Sequence, residues 1–247
     1  MHSWKGKMSW MYTDFHTHIL PQIDDGAENI ATAVQMLTAL QRQDVDRIVF
    51  TPHFYIDHTS INDFIIKRQS AYEQLKEQLD ILKDMDLRLA AEVYLVPGIS
   101  MLEGLEALCI EKTDYLLLEL PYKRITPQII REIDNIYNKR GLHVILAHIE
   151  RNLKFNTIQE FVEAFAYWGV VYQVNTECFL TPLRCKPILE LLSGDTPVVL
   201  GTDTHNMTTR PPNYSKAIKV LEKRCDLKYL QRISTLSSAI LSFAIAL

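Results

Sequence analysis

Short apolar runs alternate with amphipathic helical segments along most of this sequence, and no other feature limits its fold as strongly. Continuous runs of Val, Ile and Leu are typical of strands buried on both faces of a parallel sheet. Candidate strands occupy residues 11–16, 46–51, 87–94, 114–120, 142–148, 170–175 and 196–202. Apolar residues at helical spacing predict helices near 28–43, 62–83, 126–139, 157–168, 186–192 and 213–224.

Strands that alternate with helices predict an α/β fold with a parallel sheet. Roughly seven strand–helix units within 247 residues favour a closed barrel, and an open doubly wound sheet is the alternative. Neither G-x-G-x-x-G nor G-x-x-x-x-G-K-[ST] occurs, so the sequence offers no glycine-rich phosphate loop. We expect an N-terminal arm over residues 1–10 and a single domain over residues 11–247.

Composition excludes several classes of protein. Hydrophobic residues make up 47% and charged residues 23%, which is ordinary for a globular protein with a buried core. The net charge of -4 argues against nucleic-acid binding, which requires a basic face. No apolar run approaches the length of a membrane span, and the first residues do not form a secretory signal. We therefore expect a cytoplasmic protein that does not insert into a membrane.

Histidines and carboxylates stand at the ends of nearly all the candidate strands. Because the carboxyl ends of barrel strands meet at one rim, these side chains should converge there. Burying such groups together is costly unless a cation lies between them, and imidazole with carboxylate suits Zn, Mn or Fe. The candidate ligands are His16, His18, His53, Glu92, Glu119, His148, Asp203 and His205.

Each of these residues taken alone has an ordinary structural explanation. A lone Asp after a strand is often a helix N-cap, and Asp24 and Asp25 before Gly26 could simply form a turn. Glu92 and Glu119 are harder to explain in this way, because an unpaired Glu in an apolar strand is expensive to bury. Their joint placement at one rim favours the metal site.

Two arginines follow the candidate ligands in the loops after the fifth and seventh strands. Arg151 comes three residues after His148, and Arg210 lies in Thr-Thr-Arg-Pro-Pro after Asp203 and His205. Arginine binds phosphate in a bidentate manner, although most arginines cap helices or pair with surface carboxylates. Two arginines at a metal rim favour an anionic substrate.

In order along the chain, these motifs resemble the PHP (polymerase and histidinol phosphatase) superfamily, and within it the bacterial capsule-operon protein-tyrosine phosphatases of the CpsB/CapC type. The His-Ile-Glu-Arg and Arg-Pro-Pro motifs are similar to the phosphatase branch. The matching segments are 14–21, 24–26, 51–53, Glu92, 118–121, 148–151, 173–175, 203–206 and 210–212.

The resemblance implies a distorted (β/α)7 TIM-like barrel with two or three divalent metal ions, usually Mn²⁺, with Fe or Zn as alternatives. His16, His18, Glu92 and Asp203 would bind one metal. Glu92, Glu119 and His148 would bind a second, and Asp25, His53 and His205 a third. Arg151 and Arg210, together with Asp25, would act on the phosphate. Either Asp24 or Asp25 can fill the acidic position after the first strand.

The implied activity is metal-assisted hydrolysis of phosphotyrosine on the tail of a bacterial tyrosine autokinase that regulates capsular or exopolysaccharide synthesis. Two departures bear on the substrate: Ala90-Ala91 precede Glu92 where the family often has glycine, and Phe54-Tyr55 follow His53 where it often has a basic residue. Alternatives are a small-molecule phosphatase of the histidinol-phosphatase kind, a nuclease, an amidohydrolase, and a non-catalytic metal-bound scaffold. The oligomeric state stays open.

Overall fold

A computed structural model of the chain describes residues 12–78 and 85–242. The expected arm at 1–10 and the end of the helix predicted at 62–83 lie outside these ranges. The strands are β1 (Tyr12–Thr17), β2 (Val45–Phe50), β3 (His53–Phe54), β4 (Asp86–Leu89), β5 (Glu92–Tyr94), β6 (Tyr115–Glu119), β7 (His143–Leu146), β8 (Val171–Asn175) and β9 (Val198–Gly201). The α-helices are α1 (Ile30–Gln41), α2 (Ile61–Lys76), α3 (Pro127–Arg140), α4 (Ile158–Phe165), α5 (Pro182–Ser193), α6 (Tyr214–Arg224) and α7 (Leu227–Ser242). Within the described ranges, none of the helices is long and apolar enough to span a membrane.

The strands close into a parallel barrel. One sheet has the order β1-β2-β4, and the other has the order β3-β5-β6-β7-β8-β9. β3 continues the path of β2, and β5 continues the path of β4, so each pair forms one interrupted barrel strand. The circle closes where Thr17 and Thr204 form a parallel bridge and the Asp203 amide donates to the His16 carbonyl oxygen at 2.7 Å. These seven strand paths confirm the predicted distorted barrel and exclude the open sheet.

Side chains alternate between the two sides of the barrel wall, as they do on any strand. On β6, Leu116 and Leu118 pack in the large core between the barrel and the helices. Leu117, between them, belongs to a separate cluster inside the barrel, and Glu119 follows it on the same side. The inner cluster includes Phe15, Val49, Leu117, Ile145, Val171 and Val199, with Ile240 and Leu241 of α7 packed against it.

A bulge in β1 changes which of its side chains face inward. Asp14 pairs with Ile48 and Thr17 pairs with Phe50, so β1 contains one more residue than β2 between these two points. A bulge of this kind shifts the alternation and redirects the side chains that follow it. Phe15 therefore packs in the inner apolar cluster, and His16 is buried on the same side.

Helix ends follow the local sequence. Asn29, Ser60, Thr126 and Thr157 each accept a hydrogen bond from a backbone N–H of the first turn of their helices, as N-cap side chains do. Pro127 occupies the first turn of α3, and Gly141 ends that helix in a left-handed conformation. The helix predicted near residues 126–139 is thereby confirmed.

The third strand–helix unit differs from the prediction. Residues 87–94 were expected to form one strand but divide into β4 and β5. The break occurs because the Ala91 amide donates to the Leu108 carbonyl oxygen at 3.1 Å instead of to a neighbouring strand. Short 3-10 helices at Ile99–Met101 and Leu105–Leu108 then replace the α-helix of a regular unit.

Candidate metal centre

The barrel brings the predicted ligands together at the carboxyl ends of its strands. His16 and His18 lie at the end of β1, Glu92 begins β5, and Glu119 ends β6. His148 follows β7. Of the predicted set, His16, His18, Glu92, Glu119, His148, Asp203 and His205 are buried, His53 is partly buried, and the Asp25 side chain is 66% exposed at the opening.

Glu92 lies at the centre of this cluster. Its Oε2 atom is 3.1 Å from His16 Nε2, 3.3 Å from His18 Nε2 and 3.0 Å from His53 Nδ1. Its Oε1 atom is 2.8 Å from His148 Nε2, which is also 3.6 Å from Glu119 Oε1. Several imidazoles that surround one carboxylate oxygen in this way resemble ligands around shared cations more than a hydrogen-bonded network.

The ligand atoms fall into sets whose members lie within 4.8 Å of one another. These sets share His16, His18, His53 and Glu92, so more than one cation can be held side by side. They are His16 with His18 and Asp203; His16 with Glu92 and His148; His53 with Glu92 and Glu119; and His18 with Asp25, His53 and His205.

Hydrogen bonds fix the orientation of three of the imidazole rings. His16 Nδ1 lies 3.0 Å from Gln173 Oε1, and His18 Nδ1 lies 2.7 Å from Asp24 Oδ2. His205 Nδ1 lies 2.9 Å from the Asp203 carbonyl oxygen. Because these partners are acceptors, each Nδ1 is the protonated nitrogen and donates. Each Nε2 therefore points into the cluster, where it would ligate a metal once it carries no proton, as in most histidine metal sites.

The charges in the cluster are poorly balanced without a cation. Burial, and then the adjacent Glu92 carboxylate, raise the pKa of Glu119 to about 7. Burial and the neighbouring His18 ring lower the pKa of His205 to about 4, which keeps it neutral. Burial opposes ionisation of Asp203, but His16, His18 and Arg151 hold its pKa well below its usual range.

The residues present fit a group of divalent metals. Buried Glu92 Oε2 and His205 Nε2 have no hydrogen-bond partner among residues 12–78 and 85–242, although both point into the cluster. Unpaired buried polar atoms are rare and call for an explanation, and ligation is one. Imidazole nitrogen with carboxylate oxygen is a donor set that suits Mn, Fe and Zn.

Arg151 and Arg210 lie at the opening of this cluster, where both contact Asp203. The two guanidinium groups bind Asp203 Oδ2, that of Arg210 at 2.5 Å, and the side-chain amide nitrogen Nδ2 of Asn175 donates to the same oxygen at 2.9 Å. Asp203 Oδ1 faces the imidazoles, 3.4 Å from His18 Nε2 and 3.6 Å from His16 Nε2. Each arginine side chain remains about one-third exposed, so an anion at the opening can reach both.

The structure separates the tasks of Asp24 and Asp25, which the sequence left open. Asp24 turns inward and accepts hydrogen bonds from His18 Nδ1, the His53 amide and the Gly26 amide. Asp25 Oδ1 lies 3.3 Å from His205 Nε2 and 3.5 Å from His53 Nε2. Asp25 is therefore the carboxylate placed for ligation, and Asp24 positions His18.

Two residues at the site had no assigned role in the sequence analysis. Gln173 binds the His16 ring and accepts from the His148 amide at 2.7 Å. It stands two residues before Asn175 on β8, so alternation along the strand could have placed it inside the barrel. Tyr122 joins the Glu119 carboxylate, 3.2 Å away, to the Arg151 guanidinium, 3.3 Å away, and no sequence pattern indicated this contact.

Relatives of known type share both the sequence and the fold. The chain is 26% identical over 223 residues to the tyrosine-protein phosphatase YwqE of Bacillus subtilis, covering 85% of this chain and 84% of YwqE. It is 28% identical over 209 residues to the putative tyrosine-protein phosphatase CapC of Staphylococcus aureus, covering 80% and 78% of the two chains.

Solved structures of YwqE from Bacillus subtilis and CpsB from Streptococcus pneumoniae, described as metal-dependent tyrosine phosphatases, include a chain that superposes with a TM-score of 0.78. That match has 22% identity and covers 95% of this chain and 96% of the other. The family model for capsular polysaccharide synthesis, CpsB/CapC, matches residues 12–241. The resemblance seen in the sequence motifs is thereby confirmed, and the chain belongs to the CpsB/CapC family.

Proposed function

We propose that this chain is a manganese-dependent protein-tyrosine phosphatase that acts in the cytoplasm on the phosphorylated tail of a tyrosine autokinase controlling capsular or exopolysaccharide synthesis. The observation that supports the proposal best is the position of Arg151 and Arg210, both bound to the outer oxygen of Asp203 beside the histidine–carboxylate cluster. Family membership supports the link to capsule synthesis, and the names of the relatives support tyrosine phosphatase activity.

We assign the candidate ligands to three metals, following the family resemblance. His16, His18 and Asp203 come within reach of one cation, with Glu92 beside them. Glu92, Glu119 and His148 would hold a second cation. The third position is formed by Asp25, His53 and His205. Bound there, divalent ions lower the pKa of water towards neutrality and neutralise charge on a phosphoryl group.

The protein groups at the opening bind and orient the phosphate. Two guanidinium groups that are one-third exposed can bind its non-bridging oxygens in exchange for Asp203, since arginine forms bidentate pairs with phosphate. Positive charge held in place there stabilises the negative charge that grows on those oxygens during hydrolysis. Tyr122 holds the Arg151 guanidinium through its hydroxyl oxygen. The described cysteines are not needed for this chemistry.

The experiment is phosphate release from a phosphotyrosyl peptide by metal-stripped protein, before and after addition of Mn²⁺. The test variant is His148→Ala, which removes one of the nitrogens facing Glu92. The matched control is His143→Ala, which removes a histidine from the opposite end of the same strand. We expect Mn²⁺-dependent turnover in the unmodified protein and in His143→Ala, and loss of at least about a hundredfold in His148→Ala.

The same assay distinguishes the alternatives. Histidinol phosphate is offered beside the peptide, because a small-molecule phosphatase would prefer it. A protein that binds the phosphopeptide in the presence of metal but never releases phosphate would be a scaffold, and the phosphatase proposal would then be wrong. Substituting Fe²⁺ and Zn²⁺ for Mn²⁺ at equal concentration tests the choice of metal.

A further inference from the structure

A cleft adjoins the metal centre on the side of Arg151 and extends beyond what a phosphate needs. Its volume is about 610 Å³, which is within the usual size of a ligand-binding site. Tyr122, Arg151 and Asn175 line it, and each of them also binds a carboxylate of the metal centre. The cleft is therefore continuous with the proposed phosphate site.

The far part of the cleft is lined mainly by apolar side chains. Leu153 lies in the 3-10 helix Ile149–Lys154 that also contains Arg151, Phe155 directly follows that helix, and Cys178 and Pro187 complete the apolar lining. The Phe155 side chain is 38% exposed, although a large aromatic residue has no structural need to face water. An apolar surface beside a polar site is the usual form of a pocket that binds a side chain.

The charged groups of the lining do not select a charged partner. Arg151 and Lys154 are cationic and Glu177 is anionic, and the charge of Arg151 is already offset by Asp203, so the remaining charges of the two signs balance. The Glu150 carboxylate is also engaged with the Asn175 amide at 3.3 Å. Charge complementarity thus disfavours an acidic or basic occupant of the far part and favours an apolar one.

The phosphate of a bound phosphotyrosine would lie at Arg151 and Arg210. The aromatic ring of the phosphotyrosine is joined to that phosphate through the ester oxygen. The ring must then lie close to the opening, near Tyr122, whose own ring stacks over His148. The space next to Leu153 and Phe155 in the same cleft is then left for the peptide on one side of the phosphotyrosine.

We propose that the cleft lined by Leu153, Phe155, Cys178 and Pro187 binds an apolar side chain next to the phosphotyrosine, and so makes the enzyme selective for the peptide around its substrate. This inference rests on the proposed phosphatase function. It names the substrate class more narrowly: a phosphotyrosyl segment with a Leu-like or Phe-like neighbour.

The test uses the full chain loaded with Mn²⁺ and compares kcat/KM on a small aryl phosphate with that on phosphotyrosyl peptides. The peptides carry Leu, Ala or Glu at the position before the phosphotyrosine or at the position after it. We expect the unmodified protein to prefer Leu over Ala and Glu by about tenfold in one of the two series, the scale of discrimination that an apolar pocket provides.

The variant is Phe155→Ala, and the matched control is Tyr167→Ala, which removes a 78% exposed aromatic residue near the opposite rim. Phe155→Ala should abolish the preference for Leu, because its KM for the Leu peptide should rise. Its turnover of the aryl phosphate should stay within about twofold of the turnover by the control variant. The control should keep the full preference.

Three results would overturn the inference. The first is that the unmodified protein shows no preference for an apolar residue in either peptide series, and the second is that the preference survives Phe155→Ala. The third is that Phe155→Ala lowers kcat/KM on the aryl phosphate as much as on the peptides, since the cleft would then hold the tyrosine ring itself. Absence of turnover on every substrate would instead overturn the proposed function, and the cleft proposal with it. The series on the unmodified protein does not depend on the folding of any variant.

Discussion

Asp24 illustrates how a carboxylate can support the proposed metal site by orienting one of its candidate ligands. Its Oδ2 atom accepts from His18 Nδ1 at 2.7 Å and from the His53 amide at 3.0 Å, while Oδ1 accepts from the Gly26 amide at 3.0 Å. Both carboxylate oxygens are therefore used as acceptors. This arrangement turns His18 Nε2 inward and ties the loop after β1 to the start of β3.

Asp24→Asn should weaken metal binding while leaving the proposed ligands in place. The Asn side chain has only one acceptor oxygen. Its NH₂ group would therefore face either the Gly26 amide or the His18 ring and His53 amide, and the His18 ring would lose its anionic partner. Loss of a residue that orients a ligand typically costs 10–100-fold in metal affinity. Titration of Mn²⁺ into metal-stripped protein by calorimetry measures the dissociation constant directly.

The control for this prediction is Asp57→Asn, in an exposed position after β3, which should leave the affinity unchanged. A second measurement distinguishes a residue that positions a ligand from a residue that is itself a ligand. At saturating Mn²⁺, turnover by Asp24→Asn should recover to within about tenfold of that of the unmodified protein. An unchanged dissociation constant would mean that Asp24 has no such role.

At the scale of secondary-structure elements, the closure between β9 and β1 depends on a close approach at Gly201. A Cβ atom there would lie 2.6 Å from the His16 Cβ atom and 2.7 Å from Gln173 Nε2. Both neighbours are buried, and Gln173 is also bonded to the His16 ring. Because Gly201 has no side chain, it leaves the room that the His16 side chain occupies after the bulge in β1.

Gly201→Ala should destabilise the protein by about 1–3 kcal/mol, the usual cost of overpacking a tight interior. Gly194→Ala is the matched control, because the nearest atom to its added Cβ lies at an ordinary 3.6 Å. The free energy of unfolding in urea, measured with chelator present, compares the two. Equal stability of both variants would mean that β1 and β9 move apart to accommodate the added Cβ atom at no cost in the free energy of unfolding.

A second link between elements is the buried Glu132 of α3, which anchors the irregular third unit. Its two oxygens accept from the Gly98 amide at 2.7 Å and from the Ser100 amide at 3.1 Å. Burial opposes ionisation, but these bonds outweigh it and lower the pKa of Glu132. A lowered pKa in the folded state means stability that is present above the unfolded pKa and is lost as pH falls through the folded one.

Glu132→Gln should therefore lower the free energy of unfolding by about 1–3 kcal/mol at pH 7, because one amide would lose its acceptor. The difference from the unmodified protein should shrink at pH values below about 4, where the unfolded carboxyl is protonated. Urea unfolding across this pH range, with chelator throughout, measures it. Glu103→Gln, an exposed position in the same region, is the control, and a pH-independent difference would contradict the linkage.

These elements also show how far the sequence could predict the structure. Apolar runs located the barrel strands and histidine motifs located the rim, because both signals lie within a few consecutive residues. The break at Ala90–Ala91 could not be foreseen, because it depends on a hydrogen bond to Leu108, far along the chain. The contacts of Gln173 and Tyr122 depend on which strands become neighbours, which no single segment specifies.

For the whole molecule, the candidate metal centre is a concentration of buried charge at the mouth of a barrel whose inner cluster is apolar. Glu92, Glu119 and Asp203 lie close together and buried, and Glu92 Oε2 has no hydrogen bond to any residue that the structure describes. Such a site destabilises the folded chain unless cations are bound. Since its ligands come from strands around the barrel, metal binding should stabilise the whole domain and not one loop.

We therefore expect Mn²⁺ to raise the melting temperature of the metal-stripped protein. Free metal at a hundred times its dissociation constant stabilises a folded protein by about 2.7 kcal/mol, or more when several ions bind. For a chain of this size that corresponds to roughly 5–10 °C in Tm. Differential scanning calorimetry at increasing Mn²⁺ measures the shift, and His148→Ala should show a smaller one than His143→Ala. A melting temperature that does not respond to any divalent metal would mean that the cluster holds no cation, and the charge imbalance at the rim would need another explanation.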